Sequence, residues 1–204
     1  MKISIILPLF LAFLAVYAMK RRHQDIAQKK VTEDFFERER QANSVRKKDI
    51  SHLDYLPFSL AALPIGKYTD EQLLTHEESL KQLADKKLLN LSSYSNTDLK
   101  LMYGAPNFPI LSEYDDNYHT LASTLLNYAT RLIEIEKKAD AIAVLEYAMT
   151  LSIDSSQIYL LLANLYTENH TPEKIQNIIA IVSSMDKAFQ KLVLPKLEAC
   201  RIDG

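Results

Sequence analysis

The sequence predicts an all-α protein, in which an N-terminal transmembrane helix precedes an antiparallel array of helical hairpins. Three observations support this prediction. An uncharged apolar run occupies residues 3–19. Near the C-terminus, a pattern of large and small apolar residues recurs after 34 residues. A period of this length suits a unit of two helices that must stack on a neighbour. The 204-residue chain also has three glycines and no tryptophan, which is compatible with helices throughout.

The first predicted element is a membrane anchor over residues 1–19. Its 17 uncharged residues would span about 25 Å as a helix, close to the lower limit for a bilayer core. Basic residues at positions 20–22 follow at once, whereas only Lys2 precedes the run. Because the flank richer in Lys and Arg stays in the cytoplasm, we expect a single-pass protein whose bulk is cytoplasmic. A cleaved signal peptide is the alternative, since Ala18 has the small side chain that precedes a cleavage site.

The second predicted element is a charged tether helix over residues 20–50, which are rich in Lys, Arg, Glu and Gln. Its one apolar spot is the pair Phe35 and Phe36. We favour a minor contact with the folded domain over a membrane-surface or self-association contact, because two adjacent aromatic residues make no helical stripe. Residues 51–68 form an apolar segment with two prolines, which is expected to pack on the helical domain as a loop.

Residues 51–120 as a whole are predicted to be loop and helices that pack on the repeat domain. Asp70 is expected to begin a helix, since Asp is a favoured N-cap residue, and the apolar face of this helix ends near Asn90. A shorter helix is expected over residues 97–103. Gly104 would form its C-cap, because glycine readily adopts the left-handed conformation at that position.

Two further features precede the repeats. Residues 107–109, Asn-Phe-Pro, are predicted to form a turn or loop, and the acidic pair at positions 115–116 is expected at a helix N-terminus, where acids are favoured. Residues 96–104, together with Tyr-Asp-Asp-Asn-Tyr at 114–118, also resemble a group of membrane-anchored proteins of clostridia-type bacteria. That resemblance implies no activity.

Residues 121–204 are predicted to hold two hairpin repeats, over 122–155 and 156–189, and a capping helix. The pattern positions are Leu125, Tyr128, Ala129, Leu132, Ala141, Leu145 and Ala148 in the first copy, and Tyr159, Leu162, Ala163, Tyr166, Ile175, Ile179 and Val182 in the second. This pattern resembles the tetratricopeptide repeat, in which small residues let two helices approach closely and large residues fill the space around them. The resemblance implies a helical array that binds other proteins. Thr171 and Pro172 are expected to start its last paired helix, and the capping helix is expected from Asp186 through Cys200.

Residues with catalytic or metal-binding chemistry form no recognisable motif. The five histidines lack the spacing of metal ligands. The chain has neither a phosphate-binding glycine loop nor a nucleophile motif, and the single Cys200 excludes an internal disulfide. We therefore predict no catalytic residue, no metal site and no cofactor. An enzyme whose site is assembled from distant polar residues is the alternative.

The distribution of charge points away from nucleic acid. Residues 1–48 carry 11 Lys+Arg against 5 Asp+Glu, whereas residues 49–204 carry 13 against 21. Nucleic-acid binding needs a basic face, and the larger part of the chain is acidic. The prediction is therefore a membrane-tethered adaptor or scaffold that binds an unidentified protein or peptide.

The predicted partner-binding surface is a stripe on the first helix of each repeat, on the side away from the helix–helix seam. Its positions are Leu126, Thr130, Gln157, Leu160, Asn164 and Thr167. Two alternatives stay open. Residues 51–68 could fill this groove themselves, or the protein could be an extracytoplasmic chaperone or assembly factor in the opposite orientation.

Overall fold

The structure is a computed structural model that describes residues 3–171 and 173–203 of the 204-residue chain. Its side chains are described at positions 10, 11, 13, 14, 16–22, 28–171 and 173–200. The regular secondary structure in this part is helical throughout, which confirms the all-α prediction. Its α-helices are α1 (Ile3–Ser44), α2 (Glu71–Ala84), α3 (Asn96–Tyr103), α4 (Phe108–Glu134), α5 (Lys138–Thr150), α6 (Ser156–Glu168), α7 (Glu173–Val182) and α8 (Lys187–Asp203). The chain divides into two compact units, Met1–Ser51 with Tyr94–Pro109 and His52–Ser93 with Ile110–Gly204.

The N-terminal helix α1 joins the predicted anchor to the predicted tether without a break. It ends at Ser44 rather than at residue 50. Met1 and Lys2, which belong to the predicted anchor over 1–19, lie outside the described residues. Across the part of the chain that the structure describes, no helix is both long enough and apolar enough to cross a membrane.

The first unit is organised by the contact between α1 and α3. Ala42 of α1 is fully buried. Glu39 accepts hydrogen bonds from the Thr97 hydroxyl and from the Lys100 ammonium, the latter at 3.1 Å. The hydrogen bond from Thr97, followed by that from Lys100, lowers the pKa of Glu39 below its ordinary value. The contact between α1 and α3 therefore includes polar bonds from Thr97 and Lys100 to Glu39.

Gly104 ends α3 at the predicted position. Its φ of +91° lies in the region that favours glycine. A Cβ atom here would lie 2.1 Å from the backbone oxygen of Arg46, so a glycine is required by close approach as well as by conformation. The predicted turn at 107–109 is wrong, because Phe108 and Pro109 begin α4. Proline is accommodated in the first turn of a helix, where its missing N–H has no partner to lose.

The second unit has one apolar core, to which α2 and α4–α8 all contribute buried side chains. The pattern positions of both repeats are buried in this core except Ile179, which is partly buried. Ala129, Ala141, Ala148 and Ala163 are fully buried. The small residues of the repeat therefore lie at the interior of the helical array.

The segment after α2 differs from the sequence prediction. Asp70 is the N-cap of α2, but the helix ends at Ala84 rather than near Asn90. The leucines beyond it are buried in a non-helical segment, which is held by backbone bonds: the Leu56 N–H donates to the Leu88 carbonyl at 2.9 Å. Those partners come from distant parts of the chain, and they outweigh the local preference of the leucines for helix.

The acidic pair at 115–116 does not mark a helix N-terminus, because α4 begins at Phe108 and Asp115 lies within it. Asp115 instead accepts a hydrogen bond from the Leu91 N–H at 2.8 Å. The carboxylate thus satisfies a backbone donor of the neighbouring segment. Later in the chain, Pro172 lies outside the described residues, and α7 begins at Glu173.

Candidate functional site

The predicted stripe begins on α4 and continues on α6. On α4, Leu126 is partly buried against the core, and Thr130 is exposed with its hydroxyl donating to the Leu126 carbonyl at 2.8 Å. On α6, Gln157 is exposed, and Leu160 is partly buried against the core. These four positions offer two leucines that are incompletely covered and two polar side chains.

The other end of the stripe contacts α8, although Asn164 itself is exposed. The Cys200 thiol donates to the Asn164 side-chain oxygen at 3.4 Å, and the Thr167 hydroxyl lies 3.3 Å from the Cys200 carbonyl. Nearby, the rings of Tyr159 and Phe189 pack edge to face at 5.5 Å. Asn164 and Thr167 are therefore contacts of the capping helix, and the part of the α6 stripe beyond that contact is Gln157 and Leu160. The sequence predicted a capping helix at the open end of the array, but its contacts with Asn164 and Thr167 of the stripe were not predicted.

The segment 51–68, here called the proline loop, bonds to α2, α4 and α5. The Ser59 N–H donates to the Tyr147 hydroxyl at 2.7 Å, and the Tyr128 hydroxyl lies 3.1 Å from the Pro64 carbonyl. Leu63 of the loop is buried in the core, and partly buried apolar residues of the loop pack on the core beside it. These described bonds go to helices other than α6, which carries four of the six positions of the predicted stripe.

Glu77 is a buried acid in the interior of the second unit, with 1% of its surface exposed. Its two carboxylate oxygens accept the Gly66 N–H at 3.0 and 2.9 Å, and one of them lies 3.1 Å from the Tyr128 hydroxyl. Burial, and then the charge of Glu77, raise the pKa of Tyr128 well above its ordinary range. The sequence analysis did not predict this buried acid. The signal that could have identified it is the position of Glu77 on the apolar face of α2, between Leu73 and Leu80.

A second acid, Asp140 on α5, holds the far end of the proline loop. Its oxygens lie 2.9 and 2.7 Å from the Lys67 ammonium, and one of them accepts the Tyr68 hydroxyl. This hydrogen bond raises the pKa of Tyr68, with burial as the next cause. The carboxylates of Glu77 and Asp140 both bond to residues of the proline loop. These bonds therefore hold the proline loop against α2 and α5. Within the described residues, no group of three His, Cys, Asp or Glu side chains is placed to hold a metal ion.

Asp70, the N-cap of α2, connects α2 to α4. One oxygen accepts the Leu73 N–H at 3.1 Å, and the two oxygens lie 3.0 and 2.6 Å from the Arg131 guanidinium in a bidentate pair. The bond from Arg131, followed by that from Leu73, lowers the pKa of Asp70 to about 2. The same pair raises the pKa of Arg131.

We expect this pair to make stability depend on acid pH. Because the pKa of Asp70 is lower in the folded chain than in the unfolded one, its contribution is present above about pH 4. It is lost as the pH falls from there towards the folded pKa of about 2. In urea titrations, Asp70→Asn should therefore lower the unfolding midpoint at pH 7, and the difference from wild type should shrink at pH 2.5. Asp85→Asn, at the exposed C-cap of the same helix, is the control. A difference that stays constant with pH would contradict the assignment.

In the first unit, Phe35 and Phe36 are 56% and 59% exposed, and their rings pack against each other edge to face. They border an open depression of about 700 Å³ that is also lined by Glu33, Glu39, Arg40 and Asn43. The aromatic pair is thus an exposed apolar spot within a charged surface, and nothing on that surface identifies what would cover it.

No protein-family model, no curated protein and no solved structure matches this chain, so its function is inferred from its own geometry.

Proposed function

We propose that this chain is a membrane-tethered adaptor. Its N-terminal helix would hold the protein in a membrane, and tetratricopeptide-like hairpins in the second unit would bind a partner protein or peptide. The observation that supports this best is the burial pattern of the repeat. Positions 34 residues apart lie in one core, with alanines at its interior, as expected for hairpins that stack on each other.

The partner-binding surface is proposed to be the part of the stripe formed by Leu126, Thr130, Gln157 and Leu160. Thr130 and Gln157 are exposed, and the two leucines are only partly buried. Polar side chains can pair with the backbone of an extended peptide, and a partly exposed leucine can cover one of its apolar side chains. Such a surface suits an extended chain better than a compact charged ligand.

The membrane tether is supported by the apolar surface of α1. More than half of the side-chain surface is exposed at Phe10, Leu11, Phe13, Val16, Tyr17 and Met19. Contiguous exposed apolar surface of this kind marks a membrane or protein contact. The basic residues at 20–22 directly after it favour a cytoplasmic location for the rest of the chain.

Crosslinking in intact cells tests partner binding and orientation together. With a membrane-permeant reagent, the wild-type chain should give discrete adducts, and Thr130→Lys/Gln157→Lys should lose most of them while its circular dichroism is unchanged. Both positions are exposed, so the charges should perturb binding rather than folding. The matched control is Ala143→Lys/Ala180→Lys, which adds two lysines at exposed positions of α5 and α7 and should keep the adducts.

Two outcomes would contradict the proposal. If the stripe variant and the control give the same adducts as wild type, partners do not bind at the stripe. If a membrane-impermeant reagent applied outside the cell gives the adducts, the domain faces outward and an extracytoplasmic chaperone or assembly factor is the better account.

A further inference from the structure

The basic residues of α1 are concentrated directly after its apolar run. The exposed basic side chains nearest the apolar run form what we call the basic segment, which comprises Lys20, Arg21, Arg22, Lys29 and Lys30. One acidic residue, Asp25, falls within this stretch of the sequence, and the exposed acidic side chains Glu33, Asp34 and Glu37 follow it. Because α1 is one unbroken helix, position in the sequence converts directly into distance along the axis.

These distances can be compared with the dimensions of a membrane surface. At about 1.5 Å per residue, Lys20 to Arg22 lie within about 5 Å of Met19, and Lys29 and Lys30 lie about 15–17 Å from it. The headgroup layer of one leaflet is about 5–8 Å thick, and the Debye length at physiological ionic strength is about 8 Å. If Met19 lies at the edge of the bilayer's hydrocarbon core, the charges at positions 20–22 lie among the headgroups. The charges of Lys29 and Lys30 then lie about one Debye length outside the headgroup layer.

Apart from Asp25, the acidic residues of α1 begin beyond that range. Glu33 is about 21 Å along the axis from Met19, so an anionic surface would repel it only weakly. Further along, Arg40 is paired with Glu37 and Arg38 is paired with Asp98. In the range where a negative surface potential is felt, residues 20–30 therefore carry five Lys or Arg and one Asp.

We propose that the basic segment binds anionic lipid headgroups, so that the protein gathers acidic phospholipids around its N-terminal helix. This inference rests on the proposed membrane tether. A Lys or Arg near an anionic surface strengthens binding about fivefold. The three charges closest to the apolar run should therefore dominate the selection, and Lys29 and Lys30 should add less.

The experiment uses the full chain reconstituted into phosphatidylcholine vesicles with a trace of spin-labelled lipid. The fraction of label whose motion is restricted by the protein is measured with phosphatidylcholine as the labelled lipid and then with phosphatidylglycerol. We expect phosphatidylglycerol to associate roughly fivefold more strongly than phosphatidylcholine, and we expect about 1 M salt to reduce this preference.

Two triple variants locate the effect. Lys20→Gln/Arg21→Gln/Arg22→Gln should bring the preference close to one. Arg40→Gln/Arg46→Gln/Lys47→Gln, with the same loss of charge at exposed positions of the first unit, should leave it unchanged. Equal association of both labels with the wild-type chain would overturn the lipid preference while leaving the tether intact. A preference that survives the first triple variant or high salt would also overturn it. If neither label is restricted, the tether itself is wrong.

Discussion

Replacing Glu77 with alanine should lower the free energy of unfolding by about 3 kcal/mol. The carboxylate is buried, and it accepts the Gly66 N–H with both oxygens. Its removal leaves that N–H without its acceptor in the interior, and a hydrogen bond to a charged group contributes about 1.5–3 kcal/mol. The missing side-chain atoms add a cavity to this loss. Tyr128 would suffer less, because its hydroxyl also lies within hydrogen-bond distance of the Pro64 carbonyl.

The conservative variant Glu77→Gln should cost less, on the order of 1 kcal/mol, because one amide oxygen can still accept the Gly66 N–H. Urea unfolding of the full chain, followed by circular dichroism, measures both changes. Hydrogen exchange at the Gly66 amide should accelerate in Glu77→Ala. Glu78→Ala, at the adjacent exposed position, is the control and should change stability little. If Glu77→Ala were no more destabilising than this control, Glu77 would not hold the proline loop.

Ala129→Leu and Ala163→Leu should each destabilise the second unit by about 1–3 kcal/mol. Both alanines are fully buried in the core formed by the helical hairpins. A larger side chain in a filled interior forces its neighbours out of their preferred rotamers or moves the backbone. The two changes are separate tests, because Ala129 lies on α4 and Ala163 lies on α6.

Thermal and urea unfolding measure these effects, with Ala143→Leu as the matched control. Ala143 is an exposed alanine on α5, so leucine there should alter stability by less than about 0.5 kcal/mol. Equal stability of all three variants would mean that the repeat register is wrong. A loss in the two buried variants alone would support close approach of the helices at the small residues, on which the proposed interaction surface depends.

The arrangement of the proline loop and α8 affects where a partner could bind. The loop is held by Glu77, Tyr128 and Asp140, whereas α8 contacts Asn164 and Thr167. Two segments of the chain thus cover different helices of the second unit. The proposed surface is accordingly narrower than the stripe predicted from helical spacing, and it is centred on Gln157 and Leu160 of α6 together with Leu126 and Thr130 of α4.

The sequence by itself determined the all-α class, the positions of several helix ends and the membership of the core. Asp70 caps its helix by accepting the N–H of Leu73, three residues later, and Gly104 ends α3 with a positive φ. These features depend on interactions within a few residues, so they can be predicted locally. The repeat positions were predictable for a related reason, since the period of a helix determines which residues share a face.

Only the tertiary structure decided the features that depend on distant partners. Leu88 lies outside a helix, where its carbonyl pairs with the Leu56 N–H, and Asp115 lies within α4, where its carboxylate accepts the Leu91 N–H. Glu77 is buried because the proline loop supplies donors from eleven residues away and α4 supplies another. Helical spacing specifies which residues share a face, but it cannot specify which segment will cover that face. That choice follows from packing and hydrogen bonding between parts of the chain that come together only in the folded protein.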